Sequence, residues 1–439
     1  MSGYWYPSVR SYQVSASTIK SIQKAPALPS YKPVNYDLHI PLQGLAEEGR
    51  ATLCSTQTRI TVGMATCGRA AGASAIYQSL VGRNWEGKAK VHPVGCVGAC
   101  YAEPFVTIRT AEGMYYFYGN VDSNALWSII KTAQGMPATA YSWAVAQERK
   151  IGEVRSIRDL QVIQTKNSGF QEFFKPQVRR ISGRCGLVDP ESIAEYVAMD
   201  GYFALKKALF ELKAENIMKL ITAAGLRGRG GAGFLTGEKW QVAARSLDPI
   251  RYVVANADEG DPGAYMDRAL LESDPHSVLE GLIIAAYAVG ASQGYIFVRH
   301  EYPLAIKSLR QAIAAARKVG LLGPNILGSK FSLKITLVES GGAFVCGEET
   351  SLLQVMDNKR GEPRQRPPYP AIKGLRTHPT LVNNVETLAN VPWIILQGAG
   401  AFREAGTEKS PGTKIFCLTG DVKRIGFIEQ GMFMKKGRD

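Results

Sequence analysis

Tyr252-Val253-Val254-Ala255-Asn256-Ala257-Asp258-Glu259-Gly260-Asp261-Pro262-Gly263 changes character at its middle. Four apolar residues of strand length lead in; an amide and three acids then crowd together before Pro262-Gly263 turns the chain. Open α/β sheets bind ligands at the carboxyl ends of their strands, so polar residues gathered there point to a site. Acids this dense repel one another unless they meet hydroxyl, amide or metal partners. A solvated acidic turn is the competing reading. Downstream, Gly294-Tyr295-Ile296-Phe297-Val298 and Leu333-Lys334-Ile335-Thr336-Leu337-Val338 alternate with helical stretches, which predicts an α/β layer out to about Gly400. The longest apolar stretch, around Leu282 to Gly290, falls short of the roughly 20 residues of a membrane span and predicts a buried helix.

Upstream lies Gly225-Leu226-Arg227-Gly228-Arg229-Gly230-Gly231-Ala232-Gly233-Phe234, followed by Thr236-Gly237-Glu238-Lys239-Trp240. Glycines remove side chains where backbone N–H groups must approach phosphate oxygens, and Arg227, Arg229 and Lys239 add positive charge. A glycine-rich match alone is weak, and helix-like sequence rather than a strand precedes this one. A third cluster, Gly341-Gly342-Ala343-Phe344-Val345-Cys346-Gly347-Glu348-Glu349-Thr350, joins small residues to paired carboxylates. Beyond it, Arg364 to Pro370 and Val382-Asn383-Asn384-Val385-Glu386-Thr387 each read as a loop with a capped helix.

The 439-residue chain carries a formal charge of +14, but its basic residues are dispersed and do not alternate with aromatics, which argues against a nucleic-acid surface. Seven scattered cysteines argue against a secreted disulfide framework. The first residues lack the basic start and apolar run of a signal peptide, so a cytoplasmic location is expected. Between Arg59 and Gln134, strand and helix patterns follow one another as β-α-β-β-β-α, the order of a small thioredoxin-like domain.

Together these stretches resemble the NADH-binding flavoprotein subunit of respiratory complex I, a module shared with NAD-linked formate dehydrogenases and electron-bifurcating hydrogenases. The resemblance covers Ser182 to about Ile428. It implies an α/β chain with a tail or docking arm (1–57), a thioredoxin-like [2Fe-2S] ferredoxin-type domain (58–137) and a linker (138–181). A Rossmann-like FMN/NADH-binding domain (182–400) and the start of a truncated ubiquitin-like unit (401–439) would follow. Carried over by residue, Gly228, Arg229, Gly230, Gly231 and Lys239 would cradle the FMN phosphate and ring edge. Asn256, Asp258, Glu259, Gly347, Glu348, Asn383 and Asn384 would hold the rest of FMN. Phe234 and Tyr369 would stack on the adenine of NADH, and Asp261 and Glu349 would accept hydrogen bonds from nicotinamide or ribose. No catalytic nucleophile is expected. The sequence departs from the family pattern at Leu235, usually proline, Val242, usually aromatic, Asp261, usually glutamate, and Met266, usually lysine.

Gly95-Cys96-Val97-Gly98-Ala99-Cys100 resembles half of a [2Fe-2S] motif; Cys67 fits the second member of the other half, and Val62 stands where its first cysteine is expected. Three thiolates are one short of the four such a cluster takes. The C-terminal Cys-x2-Cys-x2-Cys motif for [4Fe-4S] does not occur, so that cluster is expected outside this chain. The implied function is an NADH dehydrogenase (diaphorase) subunit that passes a hydride from NADH to FMN. Single electrons would then go to iron–sulfur subunits of a larger complex, peripheral to a membrane but not inserted in it. Alternatives are a redox-silent structural subunit that kept the fold, and a module that senses NAD(H) without turnover.

Overall fold

The computed structural model describes residues 40–431. Two sheets organise them. In the first, six strands run in the order β2-β1-β3-β4-β5-β6, comprising β1 (Thr58–Gly63), β2 (Ala89–Val94), β3 (Val106–Arg109), β4 (Met114–Tyr118), β5 (Ala144–Glu148) and β6 (Leu160–Thr165). β1 and β2 are parallel and the remaining pairs antiparallel. Side chains alternate across a pleat, and β4 shows what that accomplishes. Tyr116 and Tyr118 enter a core with Ile60, Val62, Leu80 and Ile129, whereas Tyr115 and Phe117 enter one with Phe105, Phe170 and Phe174. Burial on both faces is why this strand reads as an almost unbroken aromatic run.

Two expected boundaries differ. The stretch 138–181 is not a bare linker: it supplies β5, β6 and the helix Ser168–Phe174, whose phenylalanines close the second face of the sheet. Within the expected arm, Ile40–Leu53 is a helix laid against the helix Ile193–Ala198, with Leu42, Ala46 and Gly49 buried along one side. Residues 1–39 of that arm lie outside the described residues.

The second sheet is parallel throughout, in the order β10-β7-β8-β9, with β7 (Tyr252–Ala257), β8 (Gln293–Arg299), β9 (Lys334–Ser340) and β10 (Thr380–Asn384). From β7 the chain moves outward to β8 and β9, then returns to place β10 on the other side of β7. The order therefore reverses between β7 and β10, the place where open parallel sheets take a ligand at the carboxyl ends of their strands. The helix Pro275–Val289 crosses this layer with all but one of its residues buried. Each of its enclosed leucines and isoleucines stabilises the fold by roughly 1.5–3 kcal/mol.

The two sheets are fastened by polar ties. Arg59 on β1 makes a buried bidentate pair with Glu195, both bonds 2.8 Å. Glu272, on the helix Met266–Ser273, accepts from the backbone and hydroxyl of Thr66 at 2.8 and 2.6 Å. Residues 413–431 form an antiparallel hairpin of β11 (Thr413–Leu418) and β12 (Gly426–Gly431). Its Glu429 accepts from the backbone N–H groups of Arg180, Ile181 and Ser182 and from two hydroxyls. Residues 432–439 lie outside the described residues.

Candidate functional site

The crevice expected at the carboxyl ends of β10 and β7 is where most of the residues singled out from sequence gather. Register pairs Asn384 with Asn256 at the ends of the two strands. Asn256 donates its amide to the Gly347 carbonyl at 2.9 Å and accepts from the Asp258 N–H at 3.1 Å, which fixes its orientation. On the other side, a Cβ added to Gly230 would stand 3.1 Å from the Asn384 Cβ. The glycine loop thus lies against β10, and the 341–350 segment against β7.

The loop is built for close backbone approach. Leu226 and Gly228 bond back to Thr236 and Phe234, so residues 229–233 project as a tight excursion. Gly231 and Gly233 hold φ of 111° and 64°, a region that favours glycine, and face open space. The helix Thr236–Ala244 follows at once, and the helices Glu349–Met356 and Val385–Arg403 also begin at this edge. Helix N-termini present unsatisfied N–H groups and partial positive charge, which favours an anion.

Charge is distributed unevenly around the crevice. Lys239 pairs with Glu349 at 2.5 Å, and Arg366 approaches the other oxygen of Glu349 at 3.5 Å. Glu348 caps the helix Glu349–Met356, accepting from the N–H groups of Thr350 and Ser351 at 2.9 and 3.0 Å. Asp258 accepts from the Ser340 hydroxyl at 2.6 Å, while its Oδ1 is buried without a partner among the described residues. Burial raises its pKa. Glu259 is buried at the start of the helix Met266–Ser273, receiving the N–H groups of Asp267 and Arg268 and the Tyr302 hydroxyl; burial raises it too. Asn384 donates to Asp267 at 2.6 Å, and burial, then the charge of Glu259, drives the Asp267 carboxyl toward its neutral form. Asn383 accepts from the indole of Trp240 at 2.9 Å.

Not every expected residue points into the crevice. The Arg229 guanidinium is buried and donates to the Pro411 carbonyl at 2.8 Å, and its backbone N–H goes to the Thr387 hydroxyl. Arg229 therefore offers no free side-chain charge to a phosphate. Glu259 and Glu348 spend oxygens on helix starts, and Lys239 is tied to Glu349. Phe234 and Tyr369 expose more than half their surface, and Asp261 is exposed. Sequence reading missed Ser340, Asp267 and Arg366 as members of this site. Arg366 sat inside a noted stretch, but nothing local marks the other two.

The thiols converge separately. The sulfurs of Cys67, Cys96 and Cys100 lie within 4.8 Å of one another, with 3.6 Å between Cys96 and Cys100. Val62 does not join them: it is fully buried in the opposite core of the first sheet. Cys54 is elsewhere, its sulfur beside Gly152. Three thiols thus gather here, one fewer than a [2Fe-2S] centre takes, while Cys417 lies outside the group with its sulfur engaged by the Tyr265 N–H at 3.2 Å, and we derive no step through such a cluster. Glu103 stands 3.8 Å from the Cys67 sulfur, its carboxyl pushed up to about 8 by burial. A cavity of about 160 Å³ opens over the thiols, lined across from them by Tyr265, Arg268, Glu272 and Phe427.

Comparison with known proteins bears on the crevice. Residues 221–393 match the family model described as the Nuo51 FMN-binding domain. Over 258 residues the chain is 53% identical to the NADP-reducing hydrogenase subunit HndC of Solidesulfovibrio fructosivorans, covering 59% of this chain and 52% of that protein. It is 49% identical over 241 residues to a subunit of the NADH-quinone oxidoreductase of Aquifex aeolicus, covering 55% and 56%. The chain thus spans about half the length of these curated relatives. Among solved structures it resembles an NAD+-reducing [NiFe]-hydrogenase at a TM-score of 0.50 and 25% identity, covering 94% of this chain and 67% of that one.

Proposed function

We propose that the chain, whose residues 221–393 match the Nuo51 FMN-binding domain model, is the NADH-oxidising flavoprotein subunit of a larger redox complex. The observation that carries this reading is the joining of Gly230, Asn384, Asn256 and Gly347 along one strand-end crevice. Bound there, FMN would accept a hydride from the nicotinamide and release electrons singly to iron–sulfur partner subunits.

The chain's own part is binding, orientation and exclusion of water. The open backbone of Gly231 and Gly233, beside the start of the helix Thr236–Ala244, suits a phosphate. Asn256, locked by Gly347 and Asp258, presents a fixed amide edge to a flavin ring or side chain. The unpartnered Oδ1 of Asp258 suits a ribityl hydroxyl, which would satisfy a buried acceptor that otherwise destabilises the site. Phe234 and Tyr369 are exposed and suited to stacking on adenine, and Asp261 and Glu349 to receiving nicotinamide or ribose donors. The Lys239–Glu349 pair would then open or share its oxygens as the dinucleotide enters, a cost consistent with a site that closes only on its ligand.

In this reading the N-terminal sheet is a thioredoxin-like unit extended by β5 and β6, and β11–β12 begin a ubiquitin-like unit. The test is optical. Full-length protein reconstituted with FMN should be yellow, bleach on adding NADH, and regain colour with ferricyanide; NADPH is run alongside to rank the two nucleotides. Failure to retain FMN after reconstitution would sink the flavoprotein reading and leave the redox-silent subunit. Retained colour with no bleaching by either nucleotide would remove the dehydrogenase activity.

A further inference from the structure

The thiol triad has a shape of its own. Cys67 sits in the first turn of the helix Thr66–Ala70, and Cys96 and Cys100 flank the loop that follows β2. Two thiolates bound at about 2.3 Å to one tetrahedral ion stand roughly 3.8 Å apart. The 3.6 Å between Cys96 and Cys100 matches that spacing, and the third sulfur lies within 4.8 Å of both. A two-iron cluster divides four thiolates between two metals. Here three sulfurs gather within 4.8 Å with no fourth among them; Cys417 stands outside the group with its sulfur receiving the Tyr265 N–H at 3.2 Å, and Val62, at the expected fourth position, is buried on the other side of β1.

We propose that Cys67, Cys96 and Cys100 form a three-thiolate site for a single thiophilic divalent ion of the zinc class, and not for a [2Fe-2S] cluster. Binding would release the thiol protons to solvent and leave one coordination position facing the 160 Å³ cavity. That position has a waiting neighbour. The Tyr265 hydroxyl, which lines the cavity, is buried beside the Cys100 sulfur and makes no hydrogen bond of good geometry among the described residues. A water on the ion would satisfy it.

The site is also anchored from across the domain boundary. Glu272 holds the start of the Cys67 helix through Thr66, and the Ser273 hydroxyl receives the Cys96 N–H at 3.1 Å. Both come from the helix Met266–Ser273 of the second sheet's layer. An ion on the three sulfurs would therefore clamp the two thiol-bearing segments where they meet that helix, a structural role that needs no change of oxidation state.

Elemental analysis and acid-labile sulfide are measured on the full chain, purified anaerobically under reducing conditions and supplied with Zn2+ and Fe2+ plus sulfide in separate preparations. The expected result is one zinc per chain and no stoichiometric sulfide. Exchange with Co2+ should give thiolate-to-cobalt charge-transfer bands and tetrahedral d–d bands to the red of any flavin absorption. Cys67→Ser and Cys100→Ser should each abolish stoichiometric binding while circular dichroism shows the fold retained. Tyr265→Phe, which removes a hydroxyl beside the Cys100 sulfur and the outer position, should weaken Zn2+ binding on the order of 10-fold. Two irons and two sulfides per chain would overturn the proposal, as would a chain that stays metal-free in Zn2+ and gives no thiolate bands with Co2+.

Discussion

Gly230 stands where loop and strand meet, and its missing side chain is what lets the two come so close. A methyl there would lie 3.1 Å from the Asn384 Cβ, so the loop or the Asn384 side chain must give by a few tenths of an ångström. Gly230→Ala should therefore lower FMN affinity at least ~10-fold, about 1.4 kcal/mol, with little change in melting temperature. Gly400→Ala, whose added methyl meets nothing within 4 Å, is the control. Equal FMN titration curves for both would refute the role given to Gly230. A second residue governs acid stability. His276 is buried against the Tyr202 hydroxyl at 2.9 Å, and burial pulls its pKa down to about 3. The folded state keeps the ring neutral where the unfolded chain protonates it, so stability is complete above roughly pH 6.5 and is lost as pH falls toward 3. Urea unfolding at pH 6.5 and 5.5 should show wild type losing about 1 kcal/mol more than His276→Gln. At this scale Asn256, Asp258 and Asn384 were legible, because a strand running into polar residues is a local pattern. Asp267 and Ser340 were not, since their roles depend on neighbours 117 and 82 positions away.

Elements succeed or fail by the faces they offer. The helix Ile40–Leu53 docks through Leu42, Ala46 and Gly49, and a Cβ on Gly49 would stand only 2.0 Å from the Ala194 carbonyl oxygen. Gly49→Val should pry this helix from Ile193–Ala198, costing roughly 1–3 kcal/mol. Limited proteolysis would then cut between residues 40 and 57 well before the rest of the chain. A digestion pattern identical to wild type would show that the helix tolerates the side chain or is not held there. The docking face repeats at i, i+4 and i+7 but carries one leucine, one alanine and one glycine, too weak a signal against the Ser-, Pro- and Tyr-rich sequence before it. β5 and β6 escaped for a related reason. β6 is a sheet edge with Gln161, Ile163 and Gln164 exposed, so its alternation is blurred. The central strands β7 and β8 were plain, because strands covered on both sides read as continuous apolar runs.

At the scale of the whole molecule, the joints matter more than the boundaries. Arg59–Glu195, Thr66–Glu272 and the Glu429 cluster join segments separated by more than 100 residues, and each is largely or wholly buried. No local pattern announces such pairs, so the expected division at residue 182 gave no hint that the two sheets share their fastenings. Calorimetry of the full chain should accordingly show one cooperative transition for both sheets. Glu195→Gln, which leaves Arg59 buried beside a neutral partner, should lower stability by about 3 kcal/mol or more and split that transition. Two separated peaks in the wild type would mean that the ties are too weak to couple the halves. The pairing of β10 beside β7 has a further consequence in time. Residues 257–383 are made between the two asparagines that face each other there. During synthesis, therefore, β7, β8 and β9 can emerge and associate while one wall of the crevice is still unwritten. Nascent chains halted before Asn384 would hold most of the layer yet have no place for a flavin.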